Sequence, residues 1–369
     1  MNSQRIPLQN IYFLLCYAWN HLQELKYAEV RSERCERIWD LLAKVLTRGS
    51  QQLVKRGLHR NYILECERLF RPKGKVLFCE DIRKPSFATP AKTCEFDELS
   101  PNVLPNQIIA ATFKTLGRHA GLTNDNRMGL REASAPFSPF TPLALRAQHF
   151  RRVRLNSNMR HYRFVLNVCE LIYRHSLPTE DPGAVRFRDF DRDEATMGEL
   201  FEQFVRNFYA KEQSHYRVSA SHVRWNVDEN ESTSGGLHLL PGMKTDICLE
   251  SPADKLIIDC KFYQDAFQRP YDTKKFISDH LYQLFTYLRN QSVVTGWNSV
   301  RGMLLYPTVA EPIDEVVTIQ GHQIRIASIN LGQQWQFIAT DLLALLTKRP
   351  ISPSELNSTT GSRLAKHIL

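Results

Sequence analysis

The stretch Gly242–Tyr263, GMKTDICLESPADKLIIDCKFY, determines how the second half of this chain is organised. Two apolar runs flank the polar segment ESPADK, whose proline favours a turn, so the pattern predicts two adjacent strands. Asp246 stands at the start of the first strand, and Asp259 and Lys261 stand near the end of the second. Side chains two residues apart on a strand share a face, so Asp259 and Lys261 point the same way. Charges at the end of an apolar strand are costly unless they are paired or hold a metal ion.

The residue types at these three positions suit the hydrolysis of a phosphodiester. The carboxylates of Asp246 and Asp259 supply the oxygen ligands that Mg²⁺ prefers, and bound Mg²⁺ lowers the pKa of a coordinated water. The ammonium of Lys261 is suited to orient that water or to stabilise charge on the phosphorus. The pattern therefore predicts a magnesium-dependent phosphodiesterase site of the PD-(D/E)xK type. The alternative is an Asp–Lys ion pair at a surface strand end, which would contribute little stability.

Two further segments carry candidate accessory residues. In MGELFEQFV, Glu202 lies on a predicted helix among apolar side chains, and it is an additional metal ligand, a base-positioning group or a solvent-facing glutamate. In HLYQLFTYL, Gln283 and Tyr287 are four residues apart and therefore lie on one helix face. That face either contacts the DNA backbone, braces the strand that carries the lysine, or belongs to an ordinary core-and-surface helix.

The length and charge of the chain indicate two domains with different surfaces. A chain of 369 residues with 43% hydrophobic residues is sufficient for two globular domains. Residues 1–160 contain 26 Lys+Arg and 14 Asp+Glu, whereas residues 161–369 contain 22 and 25. The basic excess of the first half is dense at Arg151, Arg152, Arg154 and Arg160, next to Arg163, and it favours phosphate backbones or acidic protein partners. A solvated surface without a partner is the plainer alternative.

Several function classes lack their sequence signatures. There is no GxxxxGK[ST] motif, so this chain is not expected to hydrolyse nucleotides by a P-loop mechanism. The eight cysteines form no CxxC pair or zinc-ligand spacing, which indicates reduced thiols. No apolar run approaches the roughly 18 residues of a membrane span. We therefore expect a soluble, cytoplasmic protein.

The order of predicted elements indicates a mixed α/β architecture. The pattern predicts helices over 6–20, 35–48, 104–116, 163–175, 198–211, 274–290 and 335–347, and strands around 74–82, 216–226, 237–249, 255–263 and 301–307. The segment 51–71 is predicted to be helical and then irregular, and the proline-rich segment 133–145 to be a loop or linker. We predict a mixed α/β domain over residues 1–150, a second domain with a mixed sheet flanked by helices over 155–350, and a tail over 351–369.

Seven segments, in one order along the chain, resemble the McrC family, the nuclease subunits of McrBC modification-dependent restriction systems. They are IPLQNIYFLLCYAW (6–19), GKVLFCEDIRKP (74–85), FDELSPNVLPNQII (96–109), LLPGMKTDICL (239–249), KLIIDCKFY (255–263), DHLYQLFTY (279–287) and RGMLLYP (301–307). The resemblance extends over nearly the whole chain except about the last fifteen residues.

This resemblance implies both an activity and a partner. It implies an N-terminal domain that docks on a hexameric AAA+ GTPase of the McrB type and stimulates GTP hydrolysis. It also implies a C-terminal PD-(D/E)xK endonuclease that cuts double-stranded DNA, with Asp246, Asp259 and Lys261 as catalytic residues and Mg²⁺ held by the two aspartates. GTP binding and recognition of methylated cytosine would belong to the partner. Glu202 stays a candidate accessory residue, and Gln283 and Tyr287 are similar to a QxxxY element of some related nucleases.

Two alternative functions remain open at this point. In the first alternative, the chain is a catalytically inactive activator of an AAA+ NTPase. In the second, it is a free-standing exonuclease of the RecB-like type. The intact Asp–Asp–Lys trio argues against the first. The second predicts that the chain cuts linear DNA without any partner.

Overall fold

The computed structural model describes residues 6–20, 37–79, 90–156, 159–178, 185–187, 190–252, 254–262, 278–292, 300–310 and 312–347. The chain divides into two compact units, and the second is inserted in the sequence of the first. The sheet unit consists of residues 1–34 and 190–369, and the central unit consists of residues 35–189. None of the described helices is both long enough and apolar enough to cross a membrane.

The central unit combines helices with a long antiparallel strand pair. Its elements are α2 (Ile38–Arg56), β1 (Asn61–Leu69), β2 (Lys75–Val76), β3 (Lys92–Ser100), α3 (Leu104–Gly117), α4 (Asn124–Ser134), α5 (Ala147–Arg152), α6 (Arg160–His175), β4 (Ser176–Pro178) and β5 (Val185–Phe187). Strand β3 pairs with β1 and with β2, and β4 pairs with β5, all antiparallel.

Helices α2, α3 and α6 form the core of the central unit. A Cβ atom added at Gly49 of α2 would approach Val165 of α6 to 2.7 Å, so the two helices are close at this point. The Tyr162 hydroxyl of α6 donates to Asn106 Oδ1 at 2.8 Å, and it accepts from the backbone N–H of His59 at 2.8 Å. The buried side chains of Tyr162 and Asn106 therefore satisfy one another, as burial favours.

The sheet unit contains a six-stranded mixed sheet. Its elements are α1 (Leu8–Ala18), α7 (Glu194–Glu212), β6 (Arg217–Ser219), β7 (His222–Val223), α8 (Ser234–Leu239), β8 (Met243–Lys244), β9 (Ile247–Glu250), β10 (Lys255–Cys260), α9 (Ser278–Gln291), β11 (Val300–Thr308), β12 (Asp314–Ile319), β13 (His322–Asn330) and α10 (Trp335–Ala344). The strand order is β12-β13-β11-β10-β9-β6. The β10–β11 and β11–β13 pairs are parallel, and the other pairs are antiparallel.

The central strands of the sheet are covered by helices, as the sequence predicts. All six side chains of β10 are buried, and Ile257 packs in one apolar cluster with Leu284 and Leu288 of α9. A Cβ atom at Gly302 of β11 would lie 2.8 Å from Leu288, so glycine allows α9 to approach the sheet. Helix α7 also packs against β10. The predicted mixed sheet flanked by helices is confirmed.

The division of the chain differs from the predicted boundary between residues 145 and 160. Helix α1, predicted in the N-terminal domain, packs in the sheet unit, because nine of its eleven residues are buried and need a large apolar partner surface. The Phe13 ring stacks on Trp335 at 4.5 Å between centroids, and Asn207 of α7 donates to the carbonyl of Tyr17 at 3.0 Å. Helix α6, predicted in the C-terminal domain, belongs to the central unit.

Three local predictions are corrected by the structure. Residues 61–69, predicted to be irregular, form strand β1, because pairing with β3 satisfies a backbone whose side chains are mostly exposed. The proline-rich segment 133–145 is not a simple linker, since Phe137 and Phe140 are buried in the central unit. The strand predicted over 237–249 is interrupted, with α8 ending at Leu239 before β8 and β9. The predicted tail lies outside the described residues.

Candidate active site

Two aspartates meet where β9 begins and β10 ends. Asp246 directly precedes β9, and Asp259 is the fifth residue of β10. The antiparallel pairing of these strands, with Ile247 opposite Ile258, places the two carboxylates next to each other. The backbone N–H of Cys260 donates to Asp246 Oδ2 at 2.9 Å, which fixes that carboxylate over the end of β10. The neighbouring positions that the sequence predicts therefore arise from strand register.

Lys261 follows the last residue of β10 and turns its ammonium back to the acids. Its backbone N–H donates to the carbonyl of Leu305 at 3.0 Å, which continues the pairing with β11. Its Nζ lies 2.9 Å from Asp259 Oδ2 and donates to Gln283 Oε1 of α9, also at 2.9 Å. Asp259 is fully buried and the Lys261 side chain is 17% exposed, so this is not the surface ion pair considered as the alternative.

Gln283 and Tyr287 form a hydrogen-bonded chain that starts at the lysine. Gln283 Nε2 donates to the Tyr287 hydroxyl at 2.8 Å, and that hydroxyl donates to the carbonyl of Lys244 at 3.1 Å. The chain joins the end of β10, one face of α9 and strand β8. Of the three roles considered for this helix face, the geometry supports the bracing of Lys261.

Glu202 reaches the same site from α7. It forms an ion pair with Arg206 one turn later, at 2.6 Å, and Arg206 Nη1 also donates to the backbone carbonyl of Asp246 at 3.2 Å. The negative charge of Glu202 raises the pKa of both Asp246 and Asp259, so the glutamate is not a remote solvent-facing residue. Its pairing with Arg206 makes it an outer member of the acidic group.

Burial, and to a lesser extent repulsion between the acids, raises the pKa values of both aspartates. Burial, the charge of Asp259 and the charge of Glu202 raise the pKa of Asp246 to about 7, against the lowering effects of the Cys260 N–H and Lys261. Burial likewise raises the pKa of Asp259, although Lys261 opposes the shift. Burial alone would lower the pKa of Lys261, but the charges of the two aspartates outweigh it and raise that pKa. A site in which carboxylates are this costly to ionise favours a bound cation.

The carboxylates present the ligand atoms that a hard divalent ion requires. Asp259 Oδ1 is buried without a hydrogen-bond partner among the described residues, although a buried carboxylate oxygen is ordinarily satisfied. Within the same residues, no three His, Cys, Asp or Glu side chains form a complete metal-binding cluster. Asp246 and Asp259 therefore fit an ion such as Mg²⁺, which takes one or two carboxylates and completes its coordination with water and phosphate.

Comparisons with known proteins agree with this architecture. A profile described as "McrBC 5-methylcytosine restriction system component" matches residues 8–307. The chain belongs to this McrBC family. It is 35% identical over 343 residues to the Escherichia coli K12 protein described as "Type IV methyl-directed restriction enzyme EcoKMcrBC". The aligned region covers 93% of this chain and 98% of that protein. The family resemblance seen in the sequence is thereby confirmed.

A solved structure of lower sequence identity has a fold similar to that of this McrBC family member. The structure is a half-complex from a tetradecameric assembly of Thermococcus gammatolerans McrB AAA+ hexamers with bound McrC. The match has a TM-score of 0.53 and 18% identity, and it covers 92% of this chain and 76% of the other. At this identity, the likeness concerns the fold.

All six residues singled out in the sequence of this family member lie in one connected site, and their catalytic roles stay a prediction. Sequence reasoning missed Arg206, the N–H of Cys260 and the carbonyl of Lys244. Arg206 was detectable in principle, since it is four residues after Glu202 on a predicted helix. The two backbone groups were not, because only the fold determines which side chains they face.

Proposed function

We propose that this chain is the magnesium-dependent DNA endonuclease subunit of a modification-dependent restriction system. The observation that carries the proposal is the buried Asp259 carboxylate, which lies beside Asp246, is paired with Lys261, and keeps one oxygen without a hydrogen-bond partner among the residues that the structure describes. A β-strand that ends in Asp-x-Lys next to a second aspartate is the arrangement of the PD-(D/E)xK nucleases. Membership of the McrBC family supports the same assignment.

Each residue has a distinct task in this proposal. Asp246 and Asp259 would hold Mg²⁺, which supplies phosphate polarisation and a water of lowered pKa near neutral pH. Lys261, fixed by Asp259 and Gln283, stabilises the negative charge that develops on the phosphate oxygens during attack. The Tyr287 hydroxyl accepts a hydrogen bond from Gln283 and fixes its side chain. Arg206 pairs with Glu202 and so partly neutralises the negative charge that this glutamate adds near the aspartates. The site thus combines two metal-ligand oxygens with one preorganised cation.

The proposal includes a protein partner. The solved relative is a complex of McrB AAA+ hexamers with McrC, and the E. coli relative is described as a methyl-directed enzyme. By this likeness we propose that the present chain binds a hexameric McrB-type AAA+ GTPase and stimulates its GTP hydrolysis. The partner would recognise methylated DNA, and this chain would cut it.

The experiment that tests the proposal is cleavage of a methylated plasmid. The chain, its AAA+ partner, GTP and Mg²⁺ are combined, and each component is then left out in turn. We expect double-strand cleavage of methylated plasmid with the complete mixture, and no cleavage without the partner, without GTP or with EDTA. Asp259→Ala is expected to abolish cleavage while GTPase stimulation stays at the wild-type level.

Other outcomes identify the competing functions. Cleavage by Asp259→Ala in the complete mixture contradicts the assignment of the site. GTPase stimulation without cleavage by the wild-type chain indicates an inactive activator. Degradation of linear DNA by the chain and Mg²⁺ alone indicates a free-standing exonuclease of the RecB-like type.

A further inference from the structure

Two helices and a loop of the central unit enclose a groove that the proposed nuclease chemistry does not use. The groove lies between α3, α4 and the segment 138–145, and its volume is about 1010 Å³. Sites for small molecules are commonly about 300–1,000 Å³, so this groove admits an extended ligand rather than a single ion.

Four cationic side chains line the groove. Lys114 and Arg118 lie at the end of α3, and Arg127 and Arg131 lie on α4, with one helical turn between the members of each pair. No carboxylate lines the groove, and none of the four cations forms an ion pair with a carboxylate in the described part of the chain. Four like charges around one concavity repel one another and attract anions, so the groove is suited to a polyanion.

The floor of the groove distinguishes a nucleic acid from an amphipathic protein segment. Its aromatic side chains, Phe113, Phe137 and Phe140, already pack in the core and are at most 8% exposed. The apolar area that is open to a partner lies mainly at Met128 and at residues 142–145 on one edge. A protein segment with an apolar face would therefore find no apolar floor to cover, and it would meet the four cations of the walls. Phosphate groups need no such area, because their binding depends on the cations of the walls.

Further cations lie on α5, the helix that follows the groove segment in the chain and packs against α3. The segment 138–145 leads into α5, where Arg151 and Arg152 are exposed. A polyanion with regularly spaced charges can follow such a surface past the end of the groove, whereas a free phosphate ion cannot.

We propose that this groove of the central unit binds the phosphate backbone of double-stranded DNA. The choice of DNA as the polyanion rests on the proposed nuclease function. Lys114, Arg118, Arg127 and Arg131 contact phosphates, so the binding positions the duplex without reading its sequence. Methylated and unmethylated duplexes of the same length therefore bind equally well at this groove.

The test measures binding by the full-length chain in the absence of cleavage. A fluorescein-labelled 40-base-pair unmethylated duplex is titrated in EDTA at several salt concentrations, and fluorescence anisotropy gives the affinity. The groove variant carries Lys114→Gln, Arg118→Gln, Arg127→Gln and Arg131→Gln. The charge-matched control carries Lys55→Gln, Arg56→Gln, Arg71→Gln and Lys75→Gln, which are exposed positions of the same unit outside the groove.

We expect the groove variant to lose at least about tenfold in affinity at moderate salt. The slope of the logarithm of affinity against the logarithm of salt concentration should fall by about 3 to 4, since each phosphate contact contributes about 0.9. The control should stay within about threefold of wild type. Arg127 donates to the carbonyls of His119 and Leu122, so a triple variant that keeps Arg127 serves if the quadruple variant unfolds.

Three results of the DNA titrations overturn the groove proposal. They are an equal loss of affinity in groove and control variants, unchanged binding by the groove variant, and no binding by the wild-type chain at low salt. Groove-dependent binding of a polyglutamate peptide with unchanged DNA binding also overturns it and assigns the groove to an acidic protein segment. The nuclease proposal is judged separately, because it depends on plasmid cleavage and the response to Asp259→Ala.

Discussion

The backbone N–H of Cys260 donates to the side-chain carboxylate of Asp246 across a distance of 2.9 Å, although the two residues are fourteen positions apart in the chain. This bond attaches the segment before β9 to the end of β10. It holds the Asp246 carboxylate over the end of β10, next to Asp259. The candidate metal site therefore depends on a backbone group as well as on three side chains, namely two carboxylates and an ammonium.

Divalent metal should stabilise the folded chain through the two aspartates. Mg²⁺ is expected to raise the thermal unfolding midpoint in proportion to the logarithm of its concentration, with about 2.7 kcal/mol at a hundredfold excess over Kd. Asp259→Asn should remove most of this response, because Asp259 supplies the buried oxygen for which the described part of the chain offers no hydrogen-bond donor. Differential scanning fluorimetry with and without EDTA measures the effect. Asp97→Asn, an exposed position on β3, is the control, and loss of the metal response there would contradict the assignment.

Arg206 should act on the site by positioning, without touching the substrate. Arg206→Gln removes the ion pair with Glu202 and the contact to the Asp246 carbonyl. We expect metal affinity and cleavage to fall by about 10- to 100-fold, which is typical when an outer contact of a metal ligand is lost. Isothermal titration with Mg²⁺ and plasmid cleavage measure the two effects.

Helix α6 provides a matched control for Arg206. Arg174 pairs with Glu170 at the same spacing and the same distance, 2.6 Å, but in the central unit. Arg174→Gln should leave metal binding unchanged. If both arginine variants reduce metal binding equally, Arg206 has no specific positioning role.

Gln283 should be needed for the orientation of the lysine. Gln283→Leu removes the acceptor of Lys261 Nζ and the donor to Tyr287. We expect cleavage to fall by about tenfold or more, with a loss of folding free energy of about 1 kcal/mol per lost hydrogen bond. The control is Gln203→Leu on α7, where the glutamine side chain donates to Glu199 of that helix. This variant should cleave at the wild-type rate. Wild-type cleavage by Gln283→Leu would exclude the bracing role.

A buried ion pair at the other end of β10 should control stability and not chemistry. Arg301 of β11 contacts Asp254 at 2.6 Å, and both side chains are 9% exposed. Arg301→Met leaves the Asp254 carboxylate buried without its cation, which should cost about 3–5 kcal/mol of folding free energy. Chemical denaturation measures the loss, and metal affinity of the folded variant should be unchanged.

The double variant Asp254→Asn with Arg301→Met tests this explanation. Removing both charges should restore part of the stability, since no uncompensated charge is left. Arg217→Met, at an exposed cation that also pairs across strands, should leave the denaturation midpoint nearly unchanged. A double variant that is as unstable as the sum of the single variants would contradict the role of the buried charge.

The sequence predicted those helices and strands in which the spacing of apolar residues follows from which side chains are buried. Strand β10 has the apolar run Leu256–Ile258 because both of its faces are covered, and helix α9 has its buried apolar residues on one face. Strand β1 was missed because most of its side chains are exposed and its backbone is satisfied by β3, a partner thirty residues away in the chain. The placement of α1 was missed because an apolar helix does not specify which core it enters.

By itself, the sequence determined the chemical content of the site. Two carboxylates and an ammonium at the ends of two apolar strands predict a hard metal and a phosphodiester, and the ordered motifs identify the family. Only the tertiary structure decided how these groups are held. The Cys260 N–H fixes Asp246, Arg206 joins Glu202 to the Asp246 backbone, and Gln283 links Lys261 to Tyr287. The reason is physical, because residue spacing determines which side chains share a face, whereas contacts between distant segments depend on strand register and helix packing.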